Sequence, residues 1–469
     1  MSDATISTDY LVVGAGAAGM AFADSIVTHS DADVVLVDRR HGPGGHWIDA
    51  YPFVRLHSPS AIYGVNSRPL GQDAIIPDGL SAGLYEQATG AEICDYYDRV
   101  LNEQLIASGR VRFLGMHEYE ADASGRHRLV SRLTGDTVDV TVNRKLVNAA
   151  YLENDIPATH TPSFQADPGV RLVPINALAR LSEPPSGYTV IGAGKTGIDA
   201  VLWLLGNQVD PDRIRWIMPR DPLLLDRAGF QPLDQVPSLM DAVSREIEAI
   251  ARATSMDDLV RRLETHGRML TFDPAVPPTM WHCATVSRRE LVQLRRVRDV
   301  VRLGHVRHIG SGEVTLDHGT IDSDAGQLYV DCSAGGLNRA PAKPIFEADR
   351  ITVQLVRTCQ PAFSAALVGF VETVREDDAA KNRLCPVNPY PRTPHDWLRG
   401  TAVTLTAARV WAENPDVQEW VDSSRLNYLK DVARHAGEPS MVEATRRQKE
   451  FLKPAVNRIP ELLGEIGQP

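Results

Sequence analysis

Two glycine-rich turns, Gly14-Ala-Gly-Ala-Ala-Gly19 and Gly192-Ala-Gly-Lys-Thr-Gly197, stand far apart in one chain of 469 residues. Each follows a short apolar run, 10–13 and 188–191, and each opens a helix-forming stretch, roughly 20–28 and 198–206. Strand, G-x-G-x-x-G and helix form one physical unit. The first glycine permits the tight turn, the second lets a pyrophosphate approach the backbone, and the third lets the helix pack against the strand. The phosphate charge then rests on the helix N-terminus. A chain that carries this unit twice is predicted to be α/β, with two Rossmann-like dinucleotide-binding domains.

The residues after each turn distinguish the two ligands. The strand 33–37 ends at Asp38, about twenty residues beyond Gly19, where a carboxylate holds a ribose hydroxyl. The first site is therefore read on Gly14, Gly16, Ala18, Gly19, Asp38 and Arg39. The strand 214–218 ends instead in Pro219-Arg220, with no acid to hold a ribose diol. Lys195 lies inside the turn and Arg227 follows. Cations at this edge suit a 2′-phosphate, which an Asp would repel, although Asp221 beside Arg220 works against it. The second site, on Gly192, Gly194, Lys195, Thr196, Gly197 and Arg220, reads as NADP(H). FAD held at the first turn and NADPH visiting the second is the pairing that makes physical sense, because a nicotinamide delivers hydride to a flavin.

Composition narrows the class. With 43% hydrophobic residues, the chain can bury two or three domain cores. A net charge of -11 disfavours nucleic acid or an anionic membrane as partner. The apolar stretch 10–23 is too short and too glycine-rich to span a bilayer, and the start lacks a signal-peptide pattern, so a cytoplasmic protein is expected. Five widely spaced cysteines fit a reducing compartment with thiols that serve mostly as packing residues. They also argue against a disulfide-type flavin reductase, which needs two closely spaced cysteines. No zinc spacing is present, so no metal is expected.

The segment 42–64, GPGGHWIDAYPFVRLHSPSAIYG, resembles the GGTW…YPG.R stretch of flavin-containing and Baeyer–Villiger monooxygenases, through Gly44, Gly45, His46, Trp47, Tyr51, Pro52 and Arg55. In that family the stretch lies along the flavin, and the NADP domain is inserted into the FAD domain. The strand 110–119, carrying Met116, is similar to the one whose following backbone contacts FAD adenine. The segments 145–150, ending at Ala150, and 328–337 are similar to the crossovers between the domains. The resemblance implies a monooxygenase that consumes NADPH and inserts one oxygen of O2 into a small organic substrate through a peroxyflavin. The family's linker fingerprint, F-x-G-x-x-x-H, is not matched. Phe164 has no His after it and His160 lies before it, which marks a divergent member. A flavin reductase, dehydrogenase or oxidase without oxygen transfer stays open, as does a non-redox FAD-binding protein.

Organisation follows from these landmarks. Residues 1–155 and 328–399 are assigned to the FAD domain, 156–185 to a linker, 186–327 to the NADP domain with a helical insertion at about 222–285, and 400–469 to a helical tail that either caps the substrate pocket or covers the FAD domain. His46 and Trp47 are expected against the flavin. His57 is the candidate catalytic residue, able to hydrogen-bond the flavin, with a purely structural histidine as the alternative. Tyr63, Asn66, Trp281 and His282 are weaker candidates. The stretch 358–374 reads as a Pro-initiated helix whose start, with Gln360 and Phe363, faces the flavin edge and stabilises negative charge there; an ordinary surface helix is the alternative. Ser287 and Glu290 form a capping-box pattern.

Overall fold

The computed structural model describes residues 4–121, 125–324, 326–338 and 340–464. Two separate sheets, the first mixed around a parallel centre and the second parallel, carry the two glycine turns. In the first, the strand Ala4–Val13 runs between Val34–Val37 and Thr137–Asn148, parallel to both. Val111–Leu114 extends the sheet beyond Val34–Val37, and Arg350–Thr352 beyond Thr137–Asn148. The apolar run 10–13 explains the central place of its strand. A strand covered on both faces needs no polar alternation, and Val34–Val37 is buried along its whole length. An antiparallel hairpin, His117–Ala121 with His127–Ser131, joins through Thr137–Asn148. The helix Ala17–His29 lies against Pro361–Val374, and the Ser25 hydroxyl donates to the Ala366 carbonyl at 2.9 Å.

The second sheet has the order Asp299–Val301, Ile214–Ile217, Gly187–Ile191, Gln327–Asp331, Arg171–Pro174, parallel throughout. Its last strand corrects the sequence reading. Part of the segment read as a linker, 156–185, completes this sheet, because the open edge of Gln327–Asp331 offers backbone groups that must be paired. The insertion forms a small sheet, Leu223–Asp226 between Met269–Thr271 and Thr285–Val286, with the helices Val236–Arg252 and Met256–Thr265. The capping box forms at the head of Arg288–Leu294, with Ser287 and Glu290 each bonding the other's backbone N–H.

The C-terminal region covers both units. Met441 and Ala444 of the helix Pro439–Leu462 pack on Val236, Leu239 and Met240 of the insertion. Arg447 pairs with Asp241 at 2.9 Å and with Glu248 at 3.3 Å. Nearer the first sheet, the Arg425 guanidinium donates to the carbonyls of Ala61, Tyr63 and Val65. Trp420 stacks on Phe370.

The cysteines do not behave as expected. Cys283 and Cys359 are joined by a disulfide, with Cα atoms 6.0 Å apart, while Cys94, Cys332 and Cys385 are free thiols. Spacing along the chain hid this pair, because the insertion folds back onto the head of the helix Pro361–Val374.

Candidate functional site

Three cavities share one histidine, His46, and two of them also share Trp47. The first, of about 240 Å³, lies over the first glycine turn, and its walls include Gly14, Gly16, Ala18, Asp38, Arg39 and Ala150. Gly19 sits behind the turn. A Cβ there would lie 1.8 Å from the Gly14 carbonyl oxygen, so the helix approaches the strand as only glycine allows. The Asp38 carboxylate accepts from the Ala15 N–H at 2.7 Å and the Arg40 N–H at 2.8 Å. A carboxylate has about four acceptor positions, which leaves capacity for a ribose hydroxyl. Arg39 is ion-paired with Glu153 on the same wall. Met116 is not on this wall. It holds a left-handed turn, φ 56°, with its N–H donating to the Arg40 carbonyl, and the next residues, His117, Glu118 and Tyr119, line the cavity instead.

The second cavity, of about 310 Å³, lies over the second glycine turn. Gly192, Gly194, Lys195, Thr196 and Arg220 line it. Gly197 stands behind, as Gly19 does, with a Cβ placed 2.0 Å from the Gly192 carbonyl oxygen. The charges differ from the sequence expectation in three ways. The Lys195 ammonium is held by Asp199, one helical turn on, and lies 3.4 Å from the Tyr51 hydroxyl, so a carboxylate already balances its charge. Arg227 is buried, paired with Glu290 at 2.7 Å and donating to the carbonyls of His57 and Thr285; it holds the insertion against the flavin stretch. Asp221 turns to Arg302, accepting from its Nε and Nη2. His305 and Arg392 join Arg220 on the wall, both missed in the sequence because they come from distant strands and loops.

The third cavity, of about 200 Å³, shares wall residues with each of the other two and is lined by His46, Trp47, Tyr63, Cys359, Gln360 and Phe363 among others. His46 is on the wall of all three cavities, and Gly45 on that of the first. The Trp47 indole N–H donates to the Tyr63 hydroxyl at 2.7 Å. Burial, with the Arg40 cation nearby, pushes the His46 imidazole down to about 4, so it is neutral. Gln360 heads the helix Pro361–Val374. Its side-chain amide nitrogen is buried with no hydrogen-bond partner. A buried donor without a partner costs about 1–3 kcal/mol. At a helix N-terminus beside a cavity, it fits the carbonyl edge of a bound flavin.

His57 takes another place. Its Nδ1 accepts from the Thr285 N–H at 3.0 Å, and its Nε2 lies 3.8 Å from Asp199. It stands on the wall of none of these cavities, which corrects its reading as the group that bonds the flavin. Asn66 accepts from Ser424, and Trp281 is buried against Trp397, whereas His282 does line the second cavity. Among the described residues no cluster of ligands suits a metal ion, and no helix is long and apolar enough to cross a membrane.

Residues 12–56 match the NAD(P)-binding Rossmann-like domain family. The uncharacterized proteins Rv2000 of Mycobacterium tuberculosis and Mb2023 of Mycobacterium bovis are each 49% identical over 429 residues, 91% of this chain and 79% of theirs. The chain belongs to the family of these mycobacterial proteins. Among solved structures, polycyclic ketone monooxygenase from Thermothelomyces thermophila aligns with 99% of this chain and 89% of its own, at TM-score 0.50 and 13% identity. At that identity the likeness shows a shared fold, the fold with two dinucleotide-binding units. Cyclohexanone monooxygenase from Rhodococcus sp. Phi1, bound to NADP+, aligns over 87% of this chain and 92% of its own at TM-score 0.46 and 12% identity.

Proposed function

We propose that this chain is an FAD-dependent, NADPH-consuming oxidoreductase, and that it acts as a monooxygenase on a small organic substrate. The observation that carries the reading is the shared wall: a cavity over each glycine turn, and a third that shares residues with both and is bounded by His46, Trp47 and Gln360. On this reading residues 1–155 and 328–399 hold FAD and residues 186–327 hold NADPH. Asp38 holds the ribose, the first turn and its helix hold the pyrophosphate, and the Gln360 amide donates to the carbonyl edge of the ring. Arg220 takes the 2′-phosphate. A bound flavin supplies hydride acceptance from nicotinamide and reaction with O2. Trp47 and Phe363, with little exposure, keep bulk water from the ring. The matched fold of a ketone monooxygenase supports oxygen transfer. A reductase or oxidase without oxygen transfer is favoured by one observation. Phe164, the sole match to the linker fingerprint, is buried in the apolar core with Ile191 and Ile217 and lines none of the three cavities.

The test has three stages. Purified protein should be yellow with one FAD per chain. NADPH should bleach it anaerobically far faster than NADH does, and Arg220→Ala should raise the KM for NADPH by roughly 10- to 100-fold while leaving NADH nearly unaffected, since a charge-assisted bond is worth about 1.5–3 kcal/mol. With labelled O2 and a panel of small organic compounds, label should enter product. A colourless protein that cannot be reconstituted overturns the flavin assignment. NADPH-driven formation of hydrogen peroxide with no labelled product moves the reading to the oxidase.

A further inference from the structure

We propose that the Cys283–Cys359 disulfide is a second redox centre, reduced by NADPH through the flavin; this rests on the function proposed above. Cys359, immediately before Gln360, lines the third cavity, which shares wall residues with both nucleotide cavities. Cys283 follows His282, which lines the nicotinamide-side cavity, and precedes the segment whose Thr285 N–H bonds His57. The sulfur pair therefore links the wall of the third cavity, through Cys359, to the segment next to His282 on the wall of the second. Both cysteines are half-buried, unlike the packed thiols of Cys332 and Cys385.

The backbone gives a second, independent observation. Cys283 and Cys359 have φ values of 57° and 61°, and only four other non-glycine residues among those described share this left-handed region. Such conformations gather where function demands a particular placement. Here the fold holds both ends of one crosslink in that conformation, on two segments that approach from different units.

The step balances. NADPH gives up a hydride, which is two electrons and one proton, and leaves as NADP+. The electron pair passes by way of the flavin to the S–S bond, which breaks. The two sulfurs take up two protons, one equivalent to that of the hydride and one from solvent, which reaches half-buried Cys283. The sum is NADPH, one proton and the disulfide giving NADP+ and two thiols. A second NADPH then reduces the flavin itself, so the chain stores two electron pairs, one on the flavin and one on the sulfurs.

The experiment is an anaerobic NADPH titration of the aerobically purified holoprotein, quenched in acid, alkylated with N-ethylmaleimide and read by mass spectrometry. The expected result is uptake of two equivalents of NADPH per chain, with label on both Cys283 and Cys359. Flavin-free protein given NADPH should keep the pair joined, and Cys283→Ser should accept one equivalent. Wild-type labelling decides the matter even where that variant does not fold. Bleaching complete after one equivalent, with both cysteines unlabelled, would reduce the pair to a static crosslink and leave the proposed function standing. A protein that holds no flavin, or whose flavin NADPH does not bleach, overturns both.

Discussion

Asp199 gathers charges behind the wall of the second cavity, which Lys195 and Tyr51 line. It accepts from the Tyr51 hydroxyl at 2.5 Å, pairs with Lys195 and faces His57. Burial alone would raise its carboxyl, but Lys195 and His57 outweigh that and hold it well below the usual range. Burial, reinforced by the Lys195 cation, pushes His57 down to about 3. The sign for stability follows. The unfolded chain binds protons at both His57 and His46 from about pH 6.5 downward, while the folded chain resists until about 3 and 4. Stability is thus full above pH 6.5 and falls as the pH drops toward 4, by at most ~1.4 kcal/mol per pH unit for each histidine. Thermal denaturation between pH 7 and 5 should show a steeper decline for the wild type than for His57→Asn, and parallel curves would remove His57 from this account. The places of Asp38 on a cavity wall and of Gln360 at a helix head were legible in the sequence because each follows from a local rule, a strand end and a helix start. Arg227 and His57 were misread because their partners, Glu290 and Thr285, lie far along the chain, and no local pattern reports such pairing.

At the scale of the element, the two glycine turns repeat one device with separable parts. The third glycine of each meets backbone, whereas Gly194, with an extended φ of -76°, would place a Cβ in open space. Gly19→Ala should therefore cost several kcal/mol or prevent folding, since the obstacle is a carbonyl that cannot move independently. Gly194→Ala should lower stability by about 1 kcal/mol or less, yet raise the KM for NADPH, because its methyl stands where phosphate approaches. Thermal melts and coenzyme kinetics of the two variants separate these effects; equal damage to both Tm values would show that the second turn is packing alone. The strand-turn-helix units and the capping box at Ser287 were legible because their determinants lie within a few residues. Arg171–Pro174 was not, because it becomes a strand only against Gln327–Asp331, which follows far later in the sequence.

The whole molecule is tied together from its C-terminal side. The helix Pro439–Leu462 buries Met441, Ala444, Ala455 and Ile459, the first two against the insertion helix Val236–Arg252. Removing residues 439–469 should destabilise the protein by on the order of 5 kcal/mol, counting the burial of Met441, Ile459 and the apolar face they cover. A dye that binds exposed apolar surface should then fluoresce with the truncated chain, and an unchanged Tm would contradict this. The same contact sets an order of events during synthesis. The helix that covers Val236, Leu239 and Met240 leaves the ribosome about 200 residues after they do. At ordinary translation speeds that interval is roughly 10–40 s. Throughout it, the apolar side of the nascent insertion helix lacks the cover that Met441 and Ala444 later give it, and Val236, Leu239 and Met240 stand open to any other apolar surface they meet.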